Sequence, residues 1–480
     1  MKLSKLLEGI CVLQTNLTED PEIRDVAYDS RKVQPGDLFV AITGFAADGN
    51  RFIPMALEKG AVAVITAKKP EENVPYILVA SDRAALAAVS ANRFGHPAKA
   101  MTTIGITGTN GKTSSTLLLK HVLEQTRGAK VGLIGTMENR IGDEVVPTER
   151  TTPESYELQS LFARMRDAGC THMVMEVSSH AIALDRVGGV HYDVAAFTNL
   201  TEDHLDFHVT MENYCQAKAE LFRRCGKGVL NRDDPWYPAF ADAATCQVLT
   251  TSVSGEGQLR AENVEMLSDG VSFTTVLEDT RVPVKLGIPG RFTVSNALNV
   301  LGISLQLGIS LEEAAAALAT APGVKGRVEV VPTPGKPYTI LIDYAHTPDG
   351  LENVLSSVRD FCKGRLIAVF GCGGDRDRTK RPIMGAIGAR IADLAIITSD
   401  NPRTEEPAAI IGDIVAGIPT NNYEVIENRV KAIHHAMDIG QKDDIIVLAG
   451  KGHETYQEIN GVKNHLDERE VVAEYLQETR

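Results

Sequence analysis

The sequence predicts an α/β protein of three domains: a small α/β N-terminal domain, a central P-loop-type domain with a mostly parallel sheet, and a C-terminal Rossmann-like α/β domain. Three observations carry this. The chain has 480 residues, well past the ~250 to 300 at which single cores stop growing. A strand, glycine-loop, helix pattern runs from Thr103 to Thr116. The last third then repeats an apolar strand followed by a polar motif four times, the arrangement in which a parallel sheet builds a site at its strand ends.

Composition narrows the function. A formal net charge of −14 without long basic runs argues against nucleic-acid binding and against an anionic membrane surface. The seven cysteines are scattered, odd in number and without a Cys-x-x-Cys pair, as expected of a reducing compartment and not of a zinc ribbon. Glu8 interrupts the start of the chain, which reads as neither signal nor transit peptide, and no apolar run is long enough for a bilayer. A cytoplasmic monomer with small-molecule partners, no nucleic acid and no membrane insertion is the expectation.

Residues 1–98 form the first domain. Short strands such as Asp37-Leu-Phe-Val-Ala-Ile42 and Ala61-Val-Ala-Val-Ile65 alternate with helical patterns, and Asn92 to Lys99, with Pro97, reads as a linker. Its densest polar stretches are two turn-rich loops, Tyr28 to Asp37 and Thr43 to Phe52. Composition alone favours plain turns; a binding role would use the Ser30 hydroxyl and the loop backbone at Thr43, Gly44, Phe45 and Ala46.

Residues 99–327 form the second. Thr103 to Thr107 is β-branched and apolar, breaks at Gly108 and Gly111, and gives way to a leucine-rich helix. Glycines let an anion approach the backbone, the helix N-terminus offers unpaired N–H groups, and Lys112 adds a mobile charge. Gly108, Thr109, Asn110, Gly111, Lys112 and Thr113 are therefore candidates for binding the phosphates of a nucleotide, Thr113 as a magnesium ligand. The usual P-loop spacing wants a glycine where Ile106 stands. Strands at Lys130 to Thr136, Thr171 to Val177 and Asp193 to Thr198 should bring Thr136, Glu176, Ser178, Ser179 and His180 near Lys112. Asn199 to His208 is crowded with oxygen and imidazole ligands, and Glu176 and His204 are candidates for a second divalent cation. Lys218, in the helical stretch Asn213 to Phe222, reads from its spacing as a solvated helix lysine. Val229 to Pro235 is a strand and turn, and a helix opening at Gly290 carries Asn296, able to read a base edge.

Residues 328–480 form the third. Its strands, Thr339 to Asp343, Arg365 to Phe370, Asp393 to Thr398 and Asp444 to Ala449, end in Tyr344-Ala-His-Thr-Pro348, Gly371 to Pro382, Ser399-Asp-Asn-Pro-Arg403 and Gly450-Lys-Gly-His-Glu454. Four strand-end motifs imply one shared crevice. The cations Arg376, Arg378, Lys380 and Arg381 are costly to crowd together without anions to meet.

In order along the chain, Gly108-Thr-Asn-Gly-Lys-Thr113, Thr151-Thr-Pro153, Glu176-Val-Ser-Ser-His180, Asn199-Leu-Thr-Glu-Asp-His204, Tyr214-Cys-Gln-Ala-Lys218, Asp343-Tyr-Ala-His346 and Asp400-Asn-Pro-Arg403 resemble the Mur ligase family, the ATP-dependent amide ligases of peptidoglycan synthesis. That family's loop is a shortened P-loop variant, which accounts for Ile106. The resemblance implies that residues 1–98 bind the uridine nucleotide of a UDP-sugar, 99–327 bind ATP and 328–480 the amino acid.

Within the family the chain is similar to enzymes that extend UDP-N-acetylmuramoyl-L-alanyl-D-glutamate by a diamino acid. By resemblance, Ser30 and the loop Thr43, Gly44, Phe45 and Ala46 hold the uridine end, and Thr151, Thr152, Ser178 and Arg186 the muramoyl dipeptide. Asn296, Arg327 and Asp343 join the ATP site, which takes ATP with two Mg2+ ions held by Thr113, Glu176, His204 and Lys218. The resemblance reverses the reading of Lys218, because the family lysine is carboxylated to a carbamate (N6-carboxylysine). Lys112, Lys218, His204 and Glu176 are then the catalytic set. Arg376, Asp400, Asn401, Pro402, Arg403, Gly450 and Glu454 hold the amino acid. Two arginines that each grip a carboxylate favour meso-diaminopimelate, whose distal carboxylate lysine lacks. The alternatives are a lysine-adding ligase, a folylpolyglutamate synthase, or a nucleotide-driven switch with no amino-acid pocket.

Overall fold

The computed structural model describes residues 1–44, 48–71, 73–148, 150–267 and 269–478. The chain forms two compact units, residues 1–251 with 302–309 and residues 252–301 with 310–480.

The first unit contains two sheets. One has the strand order Val12–Thr15, Tyr76–Val79, Ala63–Thr66, Leu38–Ala41, Val26–Ala27, parallel except for its first edge strand. Its inner strands are apolar because both faces are covered. The helix Asp82–Phe94 covers one face, started by Ser81, whose hydroxyl accepts from Ala84 N, and stopped by Gly95 at φ 70°. The expected linker at Asn92 to Lys99 is therefore shorter than its composition suggests: its first residues are the last turn of this helix, and Pro97–Ala100 is a 3-10 turn.

The other sheet of this unit runs in the order Gln247–Ser252, Cys225–Asn231, Tyr192–Phe197, Thr102–Thr107, His172–Glu176, Val131–Ile134, with parallel pairing throughout. Two short antiparallel strands, Asn139–Ile141 and Glu144–Val146, extend one edge. From Thr102–Thr107 the chain passes through the helix Lys112–Arg127 to Val131–Ile134 on one side, while Tyr192–Phe197 is added on the other. This reversal of direction opens a crevice at the carboxyl end of Thr102–Thr107.

The two sheets of this unit are joined by side chains on the helix Ser155–Asp167. Tyr28 donates to Glu157 Oε1 at 2.8 Å, and Tyr156 to Asp25 Oδ1 at 2.9 Å.

The second unit begins with an antiparallel meander, Leu259–Leu267, Gly270–Leu277 and Thr280–Leu286, against which Leu311–Ala319 packs. The polar, alternating residues of this meander gave no strand expectation at the sequence level. Its main sheet has the order Glu329–Val331, Thr339–Asp343, Ile445–Ala449, Leu366–Phe370, Leu394–Ile397, Tyr423–Val425 and is parallel apart from the first strand. Ile445–Ala449 and Leu366–Phe370 are buried along their whole length, between cores on both faces. A hairpin, Tyr456–Ile459 with Val462–His465, follows outside the sheet. Among the described residues no helix is long and apolar enough to cross a membrane.

Candidate active site

The loop after Thr102–Thr107 is held open by the neighbouring strand end. Thr198 Oγ1 donates to Asn110 O at 2.6 Å, Thr109 N to Asn199 O at 2.8 Å, and Asn110 N to Asn199 Oδ1 at 2.9 Å. Gly108 has φ 151°, and a Cβ there would lie 1.9 Å from Thr198 Oγ1, while Gly111, preceding the helix Lys112–Arg127, has φ 83°. Both positions therefore require glycine. Gly108→Ala is expected to weaken ATP binding by about 10- to 100-fold, read by titration calorimetry; an unchanged affinity would show that the loop can shift without cost.

Lys112 Nζ donates to Gly108 O and Thr109 O, both at 2.8 Å, which places the ammonium over the mouth of the loop. Thr113 Oγ1 lies 3.0 Å from Glu176 Oε1, and Glu176, almost completely buried, also accepts from Thr136 N at 3.0 Å and Thr136 Oγ1 at 2.9 Å.

Lys218 is the clearest departure from the reading by spacing. It is buried, not solvated: its Nζ donates to Gly108 O at 2.9 Å and sits 4.7 Å from the centre of the Tyr214 ring. The helix Met211–Ala219 turns Tyr214, Cys215, Lys218 and Ala219 inward and Glu212, Asn213 and Gln216 to solvent, so Lys218 lies on the apolar face and not among the helix's polar residues. Burial, followed by the charge of Lys112, pushes the Lys218 ammonium well below its ordinary pKa. Tyr214, which the sequence placed in the Lys218 motif but gave no role, also has its hydroxyl 3.2 Å from Thr109 Oγ1. Its position four residues before Lys218, one helical turn, was the available signal.

His204 takes φ 55°, with Nε2 3.3 Å from Asp203 Oδ2 and its ring centre 4.8 Å from that of His180. Burial lowers the pKa of His180 and His204, and that of His208 to about 4, with its Nε2 2.9 Å from Ser179 Oγ. Neutral imidazoles are available as ligands at neutral pH. Among the described residues no group of three or more His, Cys, Asp and Glu side chains is arranged to hold a metal alone.

Thr151 and Thr152 sit beside Glu176. Thr136 and Thr151 hydroxyls are 3.0 Å apart, and Thr152 Oγ1 donates to Glu176 O at 2.8 Å and accepts from Ser178 N at 3.1 Å. Arg186 Nη1 reaches Thr152 O at 3.4 Å, and its Nε is 3.3 Å from Glu154 Oε2, which also lies 3.5 Å from Arg83 Nη1. Burial holds the Arg186 pKa below its usual value. Glu154 and Arg83 were not singled out from the sequence; Glu154 directly follows Thr151-Thr152-Pro153, but its partner is 71 positions away along the chain, at Arg83.

A hollow of about 370 Å³ adjoins this loop, lined among others by Tyr28, Lys32, Arg150, Pro153 and Glu157. Ser30, two residues beyond Tyr28, is buried with its hydroxyl on Met55 Sδ at 3.5 Å, and Thr43 N donates to Asp82 Oδ2 at 2.8 Å. Gly44 follows in the same loop; Phe45 and Ala46 lie outside the described residues.

In the second unit the four strand-end motifs meet as expected. Gly450 N donates to Asp343 O at 3.0 Å, a Cβ on Gly450 would be 2.7 Å from Asp400 Oδ2, and one on Gly452 would be 2.5 Å from Tyr344 Cβ. Asp343 accepts from Val328 N and Ala345 N, both at 2.8 Å, while burial raises its pKa. Arg327 stacks 5.3 Å from the centre of the Tyr344 ring, and Asn296 is buried in the helix Arg291–Gln306.

Arg376 and Arg403 come together around Gly373, where a Cβ would be 2.9 Å from Arg403 Nη1 and 3.9 Å from Arg376 Cγ. Pro402 O packs against Gly374, and Asn401 Nδ2 donates to Glu454 Oε2 at 2.9 Å. The crowding of cations has a different explanation from an external anion for two of them. Arg381, with no side-chain exposure, pairs with Glu405 at 2.8 Å and Asp413 at 2.9 Å, and Arg378 pairs with Glu405 at 2.8 Å. Arg376 and Lys380 do not share these partners: Arg376 donates to Asp375 O at 3.1 Å and Lys380 to His346 O at 2.9 Å.

Comparison with known proteins covers the same three regions. Residues 22–101 match the Mur ligase family, catalytic domain; residues 106–304 the Mur ligase middle domain; and residues 326–452 the Mur ligase, glutamate ligase domain. The UDP-N-acetylmuramoyl-L-alanyl-D-glutamate--2,6-diaminopimelate ligase of Clostridium botulinum is 49% identical over 463 residues, 95% of this chain and 96% of that protein. Its namesake in Clostridium tetani is 46% identical over 485 residues, covering 100% of both. A solved structure of a ligase with this name superposes with a TM-score of 0.74 at 30% identity, over 100% of this chain and 99% of the other.

Proposed function

Because the chain belongs to the Mur ligase family, we propose that it joins 2,6-diaminopimelate, as the meso form, to the D-glutamyl γ-carboxylate of UDP-N-acetylmuramoyl-L-alanyl-D-glutamate, with cleavage of ATP to ADP and phosphate. The observation that carries this is full-length identity approaching one half to relatives named for that reaction. The product is a precursor of peptidoglycan, so the chain serves cell-wall synthesis, acting in the cytoplasm and as a monomer.

The first step joins two anions. The D-glutamyl carboxylate attacks the γ-phosphorus of ATP, and an acyl phosphate and ADP result. The barrier falls by charge neutralisation and alignment. Lys112 and the backbone of Gly108 to Thr113 bind phosphate oxygens, while Asn296, Arg327 and Asp343 hold the rest of the nucleotide. Arg186, Thr151, Thr152 and Ser178 orient the muramoyl dipeptide, and the Thr152 bond to Glu176 O ties that substrate's loop to the phosphate site. Ser30 and the loop from Thr43 bind the uridine end.

Magnesium fits this site. Thr113 Oγ1, which donates to Glu176 Oε1 at 3.0 Å, and the Glu176 carboxylate are oxygen donors of the kind magnesium takes. Thr113 would hold one ion, and Glu176 and His204 with carbamylated Lys218 a second, supplying charge neutralisation at the phosphates. In the second step the amine of diaminopimelate attacks the acyl carbon, phosphate leaves and the amide remains. Arg403 and Arg376 grip carboxylates, Glu454 takes the distal ammonium, and Asp400, Asn401, Pro402 and Gly450 shape the pocket.

An amino-acid panel tests this. Phosphate release is expected to require ATP, the muramoyl dipeptide and diaminopimelate together, with lysine and glutamate poor replacements. Preference for lysine would move the chain to the lysine-adding branch; phosphate release indifferent to both co-substrates would leave only a nucleotide switch.

A further inference from the structure

Lys451 belongs to none of the binding sets above, yet its side chain lies at the centre of one of them. It follows the strand Ile445–Ala449 by two residues, between Gly450 and Gly452, and its side chain is completely buried. Nζ lies 3.0 Å from Asn401 Oδ1, 3.2 Å from Asp400 Oδ1 and 3.4 Å from Glu454 Oε2. The three ammonium donors are directed at three residues of the diaminopimelate set. Asp400 and Asn401 follow the strand Leu394–Ile397, and Leu366–Phe370 lies between that strand and Ile445–Ala449. Lys451 thus spans the ends of two strands that do not touch.

Its effect on Asn401 is directional. Asn401 Oδ1 accepts from Lys451 and from Glu458 N at 2.9 Å, which turns the Nδ2 group toward Glu454 Oε2 at 2.9 Å. Without the lysine, the amide could reverse, and Asp400 and Glu454 would lose the cation that lies between them, leaving Arg429, whose charge acts on both. Arg429 is itself bound to Glu468 at 2.8 Å. A buried lysine is desolvated at a cost that an apolar side chain of similar size avoids, so what it contributes is geometry rather than packing. The flanking glycines make that geometry possible: Gly450 has φ 114° and Gly452 φ 54°, which turns the lysine back under the loop.

We propose that Lys451 is a positioning residue for amino-acid selection, locking Asp400, Asn401 and Glu454 into the arrangement that receives the distal end of diaminopimelate. The proposal rests on the assignment of those residues to the diaminopimelate site. The test is steady-state kinetics on full-length Lys451→Met, with Arg403→Ala in parallel and melting temperature as a check on folding. In Lys451→Met the KM for diaminopimelate is expected to rise about 50-fold, with KM for ATP and for the muramoyl dipeptide within about twofold of the parent. A double variant with Asn401→Leu is expected to be little worse than Asn401→Leu alone, because the two residues act as a unit.

If Lys451→Met gives too little folded protein, Lys451→Leu, which likewise has no donor, is read by the same criteria. A parental diaminopimelate KM in the Lys451 variant beside a raised one in Arg403→Ala overturns the positioning role and leaves the site assignment standing. Parental values in both overturn the site assignment itself. An equal rise in KM for all three substrates overturns the positioning role in favour of a general structural one.

Discussion

Lys218→Ala is expected to lower the rate of ligation by about 1,000-fold, and Lys218→Arg is expected to be no more active. The second half of that expectation separates two chemistries. If Lys218 acted as a cation beside the phosphates, arginine would keep the charge and part of the rate. The site argues for the opposite sign. Its amine is buried on Gly108 O and Tyr214, and burial together with the charge of Lys112 disfavours the ammonium. A neutral amine adds carbon dioxide, forming an N–C bond and releasing a proton, and the product is a carboxylate. Arginine cannot form that group.

Chemical rescue sharpens the test: formate or acetate should restore part of the activity of Lys218→Ala and none of that of Lys218→Arg, whose side chain fills the space. Bicarbonate labelled with carbon-13 should give a carbamate NMR signal in the parent that both variants lack. Near-parental phosphate release by Lys218→Arg would overturn the carbamate.

Arg403→Ala should raise the KM for diaminopimelate about 100-fold while leaving that for ATP near its parental value. The guanidinium is held before any ligand arrives. Nη1 donates to Gly374 O at 2.7 Å, Nε lies 3.3 Å from Glu458 Oε2, and the backbone, at φ 52°, is clamped by Arg403 N to Glu458 O at 3.1 Å and Asn460 N to Arg403 O at 2.8 Å. A fixed guanidinium loses little freedom on binding a carboxylate, so its removal acts on affinity more than on chemistry. Lysine, without the distal carboxylate, should be nearly indifferent to the change, and the diaminopimelate-to-lysine preference should shrink by the same factor. A parental KM for diaminopimelate would remove Arg403 from the specificity site.

Much of this was legible along the chain because it is local. Periodicity placed Thr102–Thr107, Val131–Ile134, His172–Glu176, Tyr192–Phe197 and the central strands of the C-terminal sheet to within a residue or two, since a strand buried on both faces must be continuously apolar. Cys225–Asn231, by contrast, begins four residues before the expected Val229, and Tyr76–Val79, Gln247–Ser252 and Tyr423–Val425 carried no expectation. The phosphate loop declares itself through Gly108, Gly111 and Lys112, because a backbone that wraps an anion needs residues without a Cβ and a nearby charge. Polar motifs at strand ends pointed to Glu176, Asp343 and Asp400 through one topological rule.

Tertiary structure alone decided the rest, wherever the deciding partner is remote in sequence. Helical spacing gave Lys218 to solvent, but the loop at Gly108 and the ring of Tyr214 close over it. Arg378 and Arg381 looked like ligands for an anion, and Glu405 and Asp413 neutralise them from within. Gly108 is required by Thr198 as much as by phosphate, and Lys451 finds its partners at Asp400 and Asn401, about 50 residues earlier. The sequence by itself determined the fold class, the phosphate loop and which side chains could do chemistry. Which of those charges are already satisfied inside the protein, and which remain for substrates, depended on how distant segments pack, because a charge's environment is a property of the folded neighbourhood and not of the residues beside it in the chain.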